Sequence, residues 1–195
     1  LGCPDWPGCY GHASPFGAGE AIQAAQTAMP TGPVTLSKAW IEMIHRYMAM
    51  GVGGCILTLA RFAWSQRSQG AKTKLPMLTL LWVCVQGAFG ALTVTMKLFP
   101  AIVTLHLLGG LGLLGLLTIQ IYQQRKITSV ELSRGLYWSA WVCAALLLFQ
   151  ILSGGWVSTN YAVLACDTFP KCQDSWWPEM ESREHERAWI EFVSD

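Results

Sequence analysis

An all-α integral membrane protein, folded as a bundle of transmembrane helices, is what this sequence predicts. Four apolar runs, at about 40–64, 75–95, 101–122 and 136–158, reach the roughly 20 residues a helix needs to cross a bilayer. The chain is 52% hydrophobic and only 13% charged, where a soluble domain carries roughly 25% charge. Ten Trp are present, many of them at the ends of apolar runs, as in an interfacial belt. A net charge of +1 offers no basic surface, so no nucleic-acid partner is expected.

Residues 1–39 form the first extramembrane segment. It opens Cys3-Pro4-Asp5-Trp6-Pro7-Gly8-Cys9. The same pattern returns as Cys166-Asp167-Thr168-Phe169-Pro170-Lys171-Cys172: Cys, two residues, an aromatic, Pro, one residue, Cys. Two copies at one spacing point to an internal duplication of long period. Gln86 to Thr95 and Gln150 to Thr159 also share Gln, Gly and the final Thr, a looser likeness between two helix ends.

The four runs are too long for strands and lack period-2 alternation. In a bilayer core without water, a helix satisfies its own backbone. Arg61, Arg67, Lys72 and Lys74 lie at or between the first two runs with no acid. Arg125, Lys126 and Arg134 lie between the last two, against one Glu131. The middle link carries only Lys97. The positive-inside rule therefore places the two basic links in the cytoplasm and both Cys motifs outside. In a bacterium this is the periplasmic side of the inner membrane, where disulfides persist. Each Cys pair suits a small disulfide-closed loop; free thiols and a metal site are the alternatives. Residues 159–180 are the second outer loop, and 181–195 read as a polar tail without an apolar run.

Ionisable residues inside the runs are the functional candidates. Glu42 and His45 are three apart and share a helix face. The alternative is that Glu42, His45 and Arg46 sit at the wet interface and snorkel. His106 has only Thr104 as a nearby polar residue in sequence, the usual mark of a satisfied core histidine. Topology weighs the other way. Both helices run inward from the outer face, which puts His45 and His106 at a common depth of ~8 Å by helical rise. Two imidazoles at one depth can ligate a metal-centred macrocycle from opposite sides. Gly51, Gly53 and Gly54 follow His45, and Gly109, Gly110 and Gly112 follow His106. Small residues admit a flat ring, although ordinary packing of membrane helices uses them too.

These motifs together resemble the heme A synthases of bacteria and mitochondria. The resemblance rests on the opening Cys loop, on Glu42-Met43-Ile44-His45-Arg46, and on Gln86-Gly87-Ala88-Phe89-Gly90 with Thr93-Val94-Thr95. It extends through Thr104-Leu105-His106-Leu107-Leu108-Gly109-Gly110, Gly154-Gly155-Trp156-Val157-Ser158, the second Cys loop and Trp176-Trp177-Pro178. It implies an eight-helix protein made of two similar four-helix bundles. One helix is then expected before Leu1, and three after the second Cys loop, where residues 181–195 depart from the pattern.

What the resemblance implies chemically is an oxidoreductase of heme A biosynthesis for cytochrome oxidase assembly. A methyl group of heme O is oxidised twice, through a hydroxylated intermediate, and an aldehyde hydrate loses water to leave a formyl group. Heme O would bind as substrate between His45 and His106, ligands to its iron. Heme B would be held in the full-length protein. Glu42 is the catalytic candidate, as a proton acceptor or a stabiliser of positive charge at the oxidised carbon. Arg46 would meet a propionate. The Cys3 and Cys9 loop would cap the pocket from outside, as a structural disulfide or in redox exchange, and Cys166 with Cys172 would close the second outer loop. Expected partners are a heme O synthase as donor, a membrane electron acceptor and, as a further expectation, a second copy of the chain. A bis-His electron carrier and a membrane thiol-disulfide oxidoreductase are the competing functions.

Overall fold

In a computed structural model of the chain, residues 1–30, 34–125 and 131–160, with Lys171 and Trp176, are described. Five α-helices follow in order: α1 (Gly19–Ala28), α2 (Leu36–Ser65), α3 (Lys74–Thr95), α4 (Pro100–Gln124) and α5 (Arg134–Thr159). No strand occurs among the described residues. The chain is an integral membrane protein: α2 to α5 are each long and apolar enough to cross a bilayer. The expected helix bundle is therefore present. The second Cys motif and the segment 181–195 lie outside the described residues.

Local chemistry explains the helix starts. Thr35 caps α2, its hydroxyl accepting from the Lys38 amide at 3.2 Å. Ser133 caps α5 by accepting from the Leu136 amide at 3.3 Å. Pro100 occupies the first turn of α4, where its missing N–H costs nothing. The α3–α4 turn is tight, with Lys97 at φ 49° and Leu98 at φ 64°.

α2 is 30 residues long, starting at Leu36 where the apolar run alone suggested Trp40. At 1.5 Å per residue it is ~45 Å long, against a hydrocarbon core of ~30 Å. It is thus longer than the hydrocarbon core by about ten residues at that rise, and a compact core gathers around its first turns. Cys3, Cys9, Ala18, Ile22, Ala39 and Met43 are buried together, with Tyr10 and Val34 packed against them. The short helix α1 contributes Ile22 to this cluster. It was not foreseen, because ten residues with one strongly buried position carry little periodic signal.

Below this cap the helices pack in sequence: α2 on α3, α3 on α4, α4 on α5. Among the described residues α2 and α4 share no packing contact. α3 thus packs against both histidine-bearing helices, which make no close backbone approach to one another.

Candidate functional site

The cap is built on α2. Cys3 and Cys9 form a disulfide, both fully buried. Glu42 and Arg46, one turn apart, pair at 2.6 Å. The second carboxylate oxygen, Oε2, accepts from the Gly2 amide at 2.8 Å and the Cys3 amide at 3.2 Å. Arg46 Nη1 donates to the carbonyls of Asp5 at 2.8 Å, Gly8 at 2.6 Å and Pro7 at 3.4 Å. Their side chains are only 21% and 10% exposed, so these bonds work away from bulk water.

The loop is also tied to itself. The Asp5 carboxylate accepts from the amides of Tyr10 and Gly11, and Tyr47 donates its hydroxyl to the Ala13 carbonyl at 2.6 Å. Gly2 touches α2 backbone to backbone: a Cβ there would fall 2.6 Å from the Ala39 nitrogen. Gly2→Ala in the full-length protein is therefore expected to lift the loop from α2 at a cost of about 1–3 kcal/mol. Faster hydrogen exchange in residues 1–13 than in wild type would register it; unchanged exchange would refute the close fit.

His45 lies on α2 and His106 on α4, the two helices that pack on either side of α3. His45 is exposed within the described residues, and His106 is half-buried. They stand within electrostatic range of one another. Glu42 and His45, three residues apart, differ by about 60° around the helix. Glu42 turns to the loop.

His106 does have a polar partner, and it is not Thr104. The amide nitrogen of Gln86, on α3, lies 3.0 Å from His106 Nδ1 and donates to the His106 carbonyl at 2.5 Å. Thr104 instead lies toward Gly155 of α5, its hydroxyl buried without a hydrogen-bond partner among the described residues. The contact with Gln86 was not visible in sequence because it is tertiary. A glutamine inside an apolar span was the available signal.

Of the glycines that follow the histidines, Gly109 and Gly112 serve helix packing, lying against Gln86 and Trp82 of α3. A Cβ on Gly51, Gly53, Gly54 or Gly87 would meet nothing within 4 Å. These glycines are thus not explained by close packing against described residues. No group of three His, Cys, Asp or Glu is placed to hold a bare metal ion among the described residues. Two imidazoles alone suit the axial positions of an iron macrocycle, which supplies the other four ligands.

The family model described as cytochrome oxidase assembly protein, COX15-CtaA, matches residues 1–195. The chain belongs to this family. It is similar to proteins named heme A synthase: 42% identical over 179 residues to that of Shewanella oneidensis, covering 90% of this chain and 54% of the relative. The heme A synthase of Halalkalibacterium halodurans is 27% identical over 181 residues, covering 89% and 54%. That of Alkalihalophilus pseudofirmus is 28% identical over 179 residues, with the same coverage of 89% and 54%. The chain spans about half the length of these curated relatives. No solved structure matches it. Membership of the COX15-CtaA family agrees with the resemblance drawn from the motifs.

Proposed function

We propose that this chain carries the substrate site of a heme A synthase, an oxidoreductase that converts a methyl group of heme O to a formyl group. The observation that carries the reading is the pair His45 and His106, within electrostatic range of one another on two helices that both pack against α3. Family membership and the names of the relatives support it.

The overall change is R–CH3 + H2O → R–CHO + 4 H⁺ + 4 e⁻, with the electrons leaving to a membrane acceptor. Bound between the two imidazoles, the iron porphyrin would supply the redox chemistry. The protein residues then bind, orient and shield. His45 and His106 would hold the heme iron. Glu42 stands about one turn outward of His45, with its oxygens held by Arg46 and the Gly2 and Cys3 amides. On leaving those partners it would accept a proton or face positive charge at the reacting carbon. Arg46 has five N–H groups; the loop and Glu42 engage some of them, and a propionate would take the others. The disulfide loop covers the outer end of α2 and limits the entry of water. Heme B in the remainder of the protein, a heme O synthase as donor and self-association belong to the same proposal. So does the orientation, with the cap on the periplasmic side of a bacterial inner membrane and the basic links inside.

The burial of Cys3 and Cys9 argues against thiol exchange as the primary function, since an attacking thiolate must reach the sulfur. The test is mass analysis of hemes from cells making the full-length protein and a heme O source. Heme A or its hydroxylated precursor is expected with wild type, and at least about 100-fold less with Glu42→Gln, the range lost with a general acid–base group. Heme O alone in wild-type cells would overturn the reading and leave an electron carrier.

A further inference from the structure

We infer that Gln86 is a positioning residue for His106: its amide engages Nδ1, holds the ring's rotation and leaves Nε2 as the nitrogen that would ligate. The inference rests on the heme-site reading above. Gln86 lies within the apolar helix α3, where an amide is costly unless its hydrogen bonds are made. Both of its recorded bonds go to one residue, His106: one to the ring and one to the main-chain oxygen. A glutamine that needed only satisfaction would be served by the carbonyl alone. Gripping ring and backbone together locks the side-chain torsions of the histidine.

The surroundings are cut to this arrangement. A Cβ on Gly109 would collide with Gln86 Oε1, so the glycine opens the slot in which the amide lies. One turn outward along α3 from Gln86, a Cβ on Gly90 would come 3.3 Å from His106 Cε1 and 3.8 Å from Nε2. The Cε1–Nε2 edge therefore runs beside bare helix surface, while Nδ1 is engaged. One turn inward, Trp82 Nε1 donates to the Gly109 carbonyl at 2.8 Å and sets the register of α3 against α4.

The amide also answers a tautomer requirement. With its N–H donating to Nδ1, the neutral ring carries its hydrogen on Nε2. A histidine that ligates iron through Nε2 carries the hydrogen on Nδ1 and needs an acceptor there. A half-turn of the amide presents Oε1 to that N–H and gives up the bond to the His106 carbonyl, from which an oxygen must move away. One side chain thus serves both the empty and the loaded ring, with no change in net charge.

The test uses the full-length protein purified with its hemes, comparing wild type, Gln86→Leu, Gln86→Glu and a His106→Ala control. The readouts are the electron paramagnetic resonance g-values and midpoint potential of the low-spin heme that His106→Ala removes. Gln86→Leu is expected to weaken heme retention roughly 10- to 100-fold. It should also raise the potential by about 59 mV for each tenfold by which ferric affinity falls more than ferrous. Gln86→Glu, a stronger acceptor, is expected to keep the heme and lower the potential. It decides the matter alone if the leucine variant does not fold. Wild-type g-values and potential in the folded variants would overturn the inference while leaving the site intact. A low-spin signal unchanged by His106→Ala would overturn the heme-site reading itself.

Discussion

Full-length protein carrying His45→Ala or His106→Ala is expected to lose one low-spin heme and at least about 100-fold of heme A formation, by the scale of a lost metal-ligand shell. The two histidines stand on helices that both pack against α3 and make no close backbone approach to each other. On the proposed reading, removing either imidazole would take away one of the two groups that hold the iron, and a methyl group cannot replace it. The spectrum of the purified variant should turn from low-spin toward high-spin, and extracted hemes should retain heme O. The two substitutions should give similar losses, since the ring needs both faces. A variant with one histidine missing and wild-type heme A yield would refute the shared site. Gln86→Leu is separable from these, because it leaves both ligands present.

Arg46→Ala is the second large effect. It removes the group that bonds three loop carbonyls and the Glu42 carboxylate. A mostly buried carboxylate then loses its cation, a change that costs about 3–5 kcal/mol for a fully buried pair and somewhat less at 21% exposure. The disulfide remains, so the loop stays closed on itself but leaves α2. Rapid proteolysis within residues 1–13, with the transmembrane helices intact, is the expected result. Arg46→Lys should restore little, because a single ammonium lacks the fork that reaches carbonyls and carboxylate together. Full restoration by lysine would show that charge alone holds the loop.

The four spans were legible because each apolar run is longer than any soluble helix core requires. Their outer ends were less so: α2 begins at Thr35 through a side-chain cap, not through hydrophobicity. The Glu42–Arg46 pair is an i,i+4 spacing that sequence displays, yet its purpose is not displayed. Its other partners are the main-chain groups of Gly2, Cys3, Asp5, Pro7 and Gly8, and backbone atoms leave no mark in residue type. The Cys3–Cys9 disulfide followed from compartment and spacing; its complete burial did not. His45 and His106 were found by depth along their helices. Gln86 was in view as part of a repeated motif, but its engagement with His106 depends on the turn that brings α3 back along α4.

A helix in lipid meets nearly the same apolar surroundings at every angle, so the solvent itself does little to stop it turning about its long axis. α2 carries a stop of its own. His45 stands between Glu42 and Arg46, and those two residues are bolted to a cross-linked loop outside the bilayer. A rotation of one residue's worth, about 100°, would tear every one of those bonds. The disulfide cap therefore acts as a keyway, setting the compass bearing of the imidazole from a point outside the membrane.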